Sequence, residues 1–339
     1  VTTAAPSPPR VQVGIVSWNT GALLARCLEA LPAALAGLDA RVVVVDNDST
    51  DDSAARARAA GATVVVNPTN VGYARAMNQA LAGDADVLIA CNPDAEPPPG
   101  SLRALVDTLL AEPRRALVAP RLLDADGSLQ HSVHRFPTPA TSLALAVVPG
   151  RIRAGALGRR LWLDGAVDHR RCEPIDWAIG AVHVLRADAL GGAAPYDERW
   201  FMYVEDLDLC WRLRQAGLEV VLDGRVAVPH VGNAAGAVAW GEGRTARWQW
   251  ATYDWVQLRR GSGPRRAYAA ANLLATLALM ARPWLAAPVS APARALGRRR
   301  WRAHRASVRL HASALVRGPG GREAEWGPPE AVRPGRSGR

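Results

Sequence analysis

Apolar residues come in short runs early in the chain, separated by stretches with helical spacing. Val11 to Trp18 is mostly apolar, Leu23 to Leu38 repeats apolar residues at helical spacing, and Val42 to Val45 is β-branched, which predicts a β-α-β unit. The rhythm continues with a helix over Ala54 to Ala60, a strand over Thr63 to Val66, a helix over Tyr73 to Leu81 and a strand over Val87 to Cys91. Alternation of this kind, with strands too apolar to face water on either side, implies a parallel sheet covered by helices on both faces. Pro99 to Ala111 reads as an amphipathic helix, and Ala116 to Leu123 as a strand ending in the Asp124 to Gly127 turn. His131 to Arg171, with scattered Pro, Gly and Arg, reads as an irregular insertion. Regularity returns with a strand over Ala181 to Leu185, a helix over Val204 to Gln215 stopped at Gly217, and a strand over Leu218 to Leu222.

The pattern changes beyond Trp240. Tyr268 to Met280 is apolar, but Arg282 and Pro283 interrupt it before Trp284 to Val289, so no uninterrupted run of about 20 residues is available to cross a bilayer. Arg298, Arg299, Arg300, Arg302, Arg305 and Arg309 follow, interleaved with Trp301, Val308 and Leu310, as in a helix lying on anionic lipid; the competing reading is a packed helix pair with a basic tail. The expected organisation is a disordered leader over 1–10, an α/β domain over 11–240, a helical basic extension over 241–317 and a disordered tail over 318–339.

Charge sharpens that division. All 41 basic residues of the 339 are Arg, a compositional bias from which no function follows. Gln257 to Arg339 carries 17 Arg against three Glu, a net of +14, whereas Val1 to Val256 carries 24 Arg against 28 acids, a net of −4. The basic character belongs to the C-terminal part and favours an anionic partner there. Cys27, Cys91, Cys172 and Cys210 show no Cys-x-x-Cys spacing, so neither a zinc ribbon nor a disulfide framework is indicated. The first ten residues are polar and Pro-rich without an apolar core, unlike a secretory signal, and a reducing cytoplasm is the expected setting.

Two features carry chemistry. Each of the first four strands ends in polar residues: Ser17, Asn19 and Thr20; Asp46 to Thr50; Asn67 to Asn70; Asn92 and Asp94. In a parallel α/β sheet ligands sit outside the carboxyl ends of the strands, so these clusters share one crevice. No Gly-x-Gly-x-x-Gly follows the first strand and no Gly-x-x-x-x-Gly-Lys-Ser/Thr occurs, which disfavours a dinucleotide or P-loop site. Asp46 can accept hydrogen bonds from a base or ribose, and Asn92 with Asp94 offers oxygen ligands to a divalent cation on two phosphates. The second feature is Phe201 to Leu213, which sets Glu205, Asp206 and Asp208 among apolar and aromatic residues. An ionised carboxylate in such surroundings is costly unless paired or functional, although acids also gather at helix starts.

The ordered set Val-Ser-Trp-Asn at 16–19, Val-Asp-Asn-Asp-Ser-Thr-Asp at 45–51, Asn-Val-Gly-Tyr-Ala-Arg-Ala-Met-Asn at 70–78, Asn-Pro-Asp-Ala at 92–95, Ile-Gly-Ala at 179–181 and Asp-Glu-Arg-Trp-Phe-Met-Tyr-Val-Glu-Asp-Leu-Asp-Leu at 197–209 resembles the family 2 glycosyltransferases of GT-A fold. The overall pattern is similar to their bacterial rhamnosyltransferase branch. The resemblance implies a nucleotide-sugar donor, most naturally dTDP-rhamnose, with GDP-mannose, UDP-hexose or UDP-galactofuranose as alternatives, and a polyprenyl-linked glycan acceptor at the inner face of the membrane. It places Ser17, Asn19, Asp46, Asn47, Asn70, Gly72, Arg75, Asn78, Asn92 and Asp94 around the nucleotide sugar. Asn92 and Asp94 occupy the Asp-x-Asp position, where the neutral first residue departs from the usual pattern. With His230 they would form a Mg or Mn site. Asp206 resembles the catalytic base of an inverting transfer, supported by Glu205, with Asp208 as helix cap. Arg75 or Arg212 are possible helpers at the phosphates, and Trp177, Gly180 and Ala181 fall with Glu205 on the acceptor side.

Two other classes remain to be weighed. A sugar-phosphate nucleotidyltransferase needs a Gly-rich basic loop after the first strand, and Ser17 to Gly21 is neither. A nucleic-acid-binding or noncatalytic binding protein would use the Arg-rich part, yet the rest is slightly acidic and lacks a basic stripe with interleaved aromatics, so no nucleic-acid partner is expected.

Overall fold

The computed structural model describes residues 8–148, 167–232, 244–285 and 291–317. Most of the expected leader, the centre of the 131–171 insertion and the 318–339 tail lie outside the described residues. Two compact units divide the chain: residues 8–134 with 168–232, and residues 135–148 with 244–285 and 291–317.

The first unit begins as the hydrophobic pattern predicts, with β1 (Arg10–Ser17), α1 (Gly21–Ala34), β2 (Asp39–Asp46), α2 (Ser53–Ala59), β3 (Thr63–Val66), α3 (Tyr73–Leu81), β4 (Val87–Cys91), α4 (Ser101–Leu110) and β5 (Arg115–Leu123). It continues through β6 (Val133–His134), β7 (Cys172–Pro174), β8 (Trp177–Ala178) and β9 (Val182–Arg186). It closes with the helix Glu205–Gln215, numbered α6 because the helix Pro139–Val147 precedes it, and with β10 (Glu219–Pro229).

The main sheet has the order β3-β2-β1-β4-β9-β5-β10-β7. β1 to β4 are mutually parallel and β5 is parallel to β10, but β9 runs antiparallel to both its neighbours and β7 antiparallel to β10. A mostly parallel α/β sheet is what was expected, and β9, the strand expected at 181–185, is one of its antiparallel strands. Its direction is reversed because β9 starts beside the carboxyl end of β4, with Val182 opposite Cys91, and not after a helical crossover. Residues 177–181 are thereby delivered to the crevice at the carboxyl ends of β1 to β4, where the Asn92 amide donates to the Ala181 carbonyl at 2.8 Å.

One core holds this end rigid. Leu24, Cys27, Leu28 and Leu31 lie on one face of α1 and are buried with Val11, Val13 and Ile15 of β1 and Ile89 of β4. Burial of each large aliphatic side chain contributes about 1.5–3 kcal/mol. On the other face α3 approaches β1 so closely that a Cβ on Gly14 would stand 2.9 Å from the Ala80 Cβ.

The second unit is helical. Within the insertion expected to be irregular, α5 (Pro139–Val147) starts at a capping box in which Thr138 and Thr141 bond reciprocally, with Pro139 in the first turn. It is joined by α7 (Arg244–Arg260), α8 (Ser262–Leu285) and α9 (Ala291–Val316). α8 continues through Arg282 and Pro283, the pair that interrupts its apolar run. Tyr253, Ala269, Leu310 and Ala314 form its small core. Arg265, 2% exposed, donates to the carbonyls of Ala314 and Arg317 and so satisfies the last turn of the basic helix α9. No helix among the described residues is long and apolar enough to cross a membrane.

Candidate active site

The strand-end loops form a hydrogen-bonded floor. Ser17 is in register with Asp46, and Asp46 with Val66, so three loops leave the sheet at one level. Ser17 Oγ lies 2.8 Å from Thr20 Oγ1, and Asp46 accepts from the Ser49 amide at 2.8 Å; both residues are buried. Asn19, in the left-handed region at φ 54°, accepts from the Thr50 amide at 2.7 Å and ties the first loop to the second. Asn47 is a hub: its Nδ2 donates to Asn70 Oδ1 and the Gly72 carbonyl, and its Oδ1 accepts from Asn67 Nδ2 and the Val71 amide. Gly72 has φ 87°, and a Cβ there would meet the Phe201 carbonyl oxygen at 2.6 Å, so glycine alone allows this loop to lie against the 197–204 segment.

Among the residues assigned to the donor by resemblance, Asn47 and Asn78 are thus engaged with the protein itself. Asn78 accepts from the Tyr196 amide at 3.0 Å and donates to the Tyr196 carbonyl at 2.8 Å, pinning that segment to α3. Arg75 is largely exposed, 3.8 Å from Glu198. Arg212 is committed to Asp208 at 3.1 Å and to the Pro195 carbonyl.

The expected metal ligands converge. His230 Nε2 lies 3.2 Å from Asp94 Oδ1 and 3.5 Å from the side-chain amide of Asn92, and His230 and Asp94 are both nearly fully buried. An antiparallel bridge between Ala95 and His230 fixes the two segments to each other. No group of three His, Cys, Asp or Glu residues that could hold a metal occurs among the described residues; here an amide makes the third donor. The donor set fits a hard or borderline divalent cation. His230 Nδ1 is 2.7 Å from Gln130 Oε1, an atom that only accepts, so Nδ1 carries a proton and Nε2 is the ring atom that faces the Asp94 carboxylate. A carboxylate oxygen and a ring nitrogen buried at this distance share either a proton or a cation.

The acidic knot opens α6. Tyr203 and Val204 have φ of 72° and 60°, a conformation that is costly for a β-branched residue, and the two left-handed residues turn the chain sharply into the helix. Asp206 is half-buried; its Oδ2 accepts from the Gly180 amide at 3.0 Å and its Oδ1 from the Leu207 amide at 2.7 Å. Burial pushes its pKa above the ordinary carboxylate value, against the lowering effect of those two amides and of His134. Glu205 is buried with Oε2 unpartnered, and burial followed by the nearby Asp206 charge pushes its pKa well up. Asp208 does not serve as the N-cap, which is Val204 with no side-chain cap bond; its fully buried carboxylate pairs with Arg212. On the expected acceptor side, Trp177 is buried with the His134 ring stacked on it, centroids 4.6 Å apart.

The sequence profile described as Glycosyl transferase family 2 matches residues 12–163. The chain is 32% identical over 244 residues to the N-acetylglucosaminyl-diphospho-decaprenol L-rhamnosyltransferase of Mycobacterium tuberculosis, an alignment covering 65% of this chain and 76% of that protein. It is a family 2 glycosyltransferase. A low-salt glycan biosynthesis hexosyltransferase of Haloferax volcanii is 23% identical over 191 residues, covering 53% of this chain and 55% of the relative. The mannosyltransferase of Pyrobaculum calidifontis, solved with GDP-mannose and Mn2+, shares the fold with a TM-score of 0.56 at 18% identity, covering 91% of this chain and 86% of that one.

In this glycosyltransferase the sequence reading passed over three side chains at the site. Tyr73 lies with its hydroxyl 3.1 Å from Asn92 Oδ1 and 3.2 Å from the Gly180 carbonyl, joining the cation side to the Asp206 side. Gln130 holds His230 from a position 100 residues away. His134 lacked any ligand spacing, yet its ring stacks on Trp177 and stands near enough to Asp206 to oppose the rise in its pKa. Tyr73 stood within the quoted motif at 70–78; nothing in the sequence flagged Gln130 or His134.

Proposed function

We propose that this glycosyltransferase moves rhamnose, with inversion, from dTDP-rhamnose to a hydroxyl of a polyprenyl-diphosphate-linked glycan in cell-wall or surface-polysaccharide synthesis. The similarity to the mycobacterial rhamnosyltransferase supports the donor and the lipid-linked acceptor. The catalytic part of the reading rests on one observation, Asp206 held by two backbone amides with its pKa raised.

A carboxylate of raised pKa is a stronger base, and one clamped by the Gly180 and Leu207 amides is already oriented. Asp206 takes the proton of the acceptor hydroxyl as that oxygen attacks the anomeric carbon from the face opposite the nucleoside diphosphate, and a single displacement inverts the centre. Glu205 lies beside it on the acceptor side with Trp177, Gly180 and Ala181; Ser17, Asn19, Asp46, Asn70, Gly72 and Arg75 border the donor. Asp94, Asn92 and His230 would hold Mg or Mn, and such a cation supplies positive charge to the departing diphosphate. The enzyme works at the cytoplasmic face of the membrane as a peripheral protein, a reading supported by the exposed leucines of α8 and by the lipid-linked acceptor in the name of the mycobacterial relative.

The test is transfer to a polyprenyl-diphosphate-linked N-acetylglucosamine from dTDP-rhamnose, GDP-mannose, UDP-hexose and UDP-galactofuranose in turn, with Mn2+ or with chelator. Transfer fastest from dTDP-rhamnose and abolished by chelation is expected. Asp206→Asn should lower the rate about 10²–10⁴-fold while nucleotide affinity stays near wild type. A preference for another donor overturns the rhamnose assignment, undiminished activity in chelator overturns the cation, and surviving transfer in Asp206→Asn overturns the base.

A further inference from the structure

A cation site with one carboxylate, one neutral amide and one imidazole has two ligands that bind only when turned the right way. An imidazole offers a lone pair on one ring nitrogen, and an amide offers its oxygen or, rotated by half a turn, its NH2 group. What orients these two side chains decides whether the site can bind at all.

For His230 the orienting group is Gln130. Gln130 Nε2 donates to Asp124 Oδ1 at 2.7 Å and to the His230 carbonyl at 3.3 Å, both atoms that only accept, so the amide nitrogen is fixed on that side. Gln130 Oε1 therefore faces His230 Nδ1, 2.7 Å away, and fixes the proton there. Nε2 is left as the donor atom on the side of Asp94 and Asn92.

For Asn92 the orienting group is Tyr73. The Tyr73 hydroxyl has two neighbours, Asn92 Oδ1 at 3.1 Å and the Gly180 carbonyl at 3.2 Å, and only one proton to share between them. The Gly180 carbonyl can only accept. Once the proton goes to it, the phenol oxygen is an acceptor and matches an Asn92 amide turned by 180°, with Nδ2 donating to Tyr73. The atom 3.5 Å from His230 Nε2 is then the Asn92 oxygen, which can ligate, in place of the nitrogen, which cannot.

We propose that Gln130 and Tyr73 are positioning residues that turn the His230 Nε2 lone pair and the Asn92 amide oxygen toward a divalent cation held with Asp94. The proposal rests on the reading of Asn92, Asp94 and His230 as a cation site. It gives that site's neutral first ligand a physical basis: Tyr73 lets an amide do part of the work of a carboxylate. Because the same hydroxyl bonds to the Gly180 carbonyl, and the Gly180 amide holds Asp206, the cation side and the base are set by adjoining groups.

The test is Mn2+ binding by the metal-free full chain, followed by electron paramagnetic resonance without donor or acceptor, alongside 1H–15N spectra of the His230 ring. Gln130→Met and Tyr73→Phe should each weaken Mn2+ about 10–100-fold. The wild-type ring should carry its proton on Nδ1 before metal is added, Gln130→Met should populate the Nε2–H tautomer, and Gln130→Glu, which keeps an accepting oxygen, should restore the Nδ1–H form and Mn2+ binding. A merely structural role for Gln130 would leave the tautomer unmoved. Variants that bind Mn2+ as tightly as wild type, or a wild-type ring protonated on Nε2, overturn the proposal while leaving the cation site standing. A wild-type chain that binds no Mn2+ overturns the cation site, and the proposal with it.

Discussion

Asp206 is asked to be both well held and basic, and these demands oppose each other. The Gly180 and Leu207 amides favour its charged form and lower its pKa; burial disfavours that form and is the larger effect, so the net shift is upward. Glu205 shares the burial and feels the Asp206 charge, and with one oxygen unpartnered it is the easier of the two to protonate. Two adjacent carboxyls, one buried and one half-buried, titrate as a pair, with apparent values that belong to both. Only the ionised Asp206 can accept a proton from the acceptor, so transfer should fail as pH falls, and the midpoint of that acid limb should lie above the ordinary aspartate value of 3.8. Glu205, protonated first, is already neutral while Asp206 titrates, so Glu205→Gln, which mimics that neutral form, should leave the limb nearly where it is. Rate profiles of both proteins at saturating donor measure this. A limb in the ordinary aspartate range for the wild type contradicts the raised pKa of Asp206, and one that Glu205→Gln moves to lower pH contradicts this order of protonation.

At the scale of loops and strands, the crevice is built by asparagines that bond to the chain. Asn47 is 2% exposed and joins the loops after β2 and β3 through four bonds. Asn47→Ala strands the Val71 amide, while the Gly72 carbonyl keeps its bond from the Ala76 amide, and should cost about 1–3 kcal/mol in denaturant unfolding. Donor affinity should fall only as far as the loop loosens; a variant of wild-type stability with donor binding lost would make Asn47 a direct contact instead. The four Asn, Asp or Ser clusters were legible in the sequence because continuous apolar strands of known direction end at one level. Whether each asparagine faces a ligand or the backbone was not, since its amide serves both equally well. β3, α3 and β4 were legible to the residue from apolar runs and helical spacing. The reversal of β9 was not, because a strand's direction is set by its connection and not by its own pattern. α5 was hidden in an insertion too rich in Gly and Pro to show periodicity, although Thr138-Pro139 marks its start. Tyr73 and Gln130 act through contacts 107 and 100 residues distant in sequence, beyond the reach of any local pattern.

For the molecule as a whole, the charge asymmetry and the helical unit concern the same question. Residues 257–339 carry a net +14, and in this stretch α8 leaves Leu274, Leu277 and Leu279 exposed by 58%, 44% and 38%. Three leucines on one stretch of helix, with no span long enough to cross a bilayer among the described residues, suit a surface that settles into the lipid interface. Arginine near an anionic surface adds about 1 kcal/mol each, an attraction that salt screens, whereas the apolar contribution persists. The full chain should therefore float with vesicles containing phosphatidylglycerol at low salt, float less at ~0.5 M salt, where the Debye length shrinks well below 10 Å, and float only to that lesser extent with purely zwitterionic vesicles. Leu274→Asp with Leu277→Asp should reduce flotation at both salt concentrations without altering the active site. Duplex DNA bound more tightly than anionic vesicles would give the arginines to nucleic acid instead, and flotation unaffected by the leucine substitutions would make the attachment purely electrostatic. A lipid-linked acceptor supplies the reason for such attachment: its polyprenyl chain stays in the bilayer, so an enzyme confined to the surface meets it at a far higher effective concentration than one free in solution.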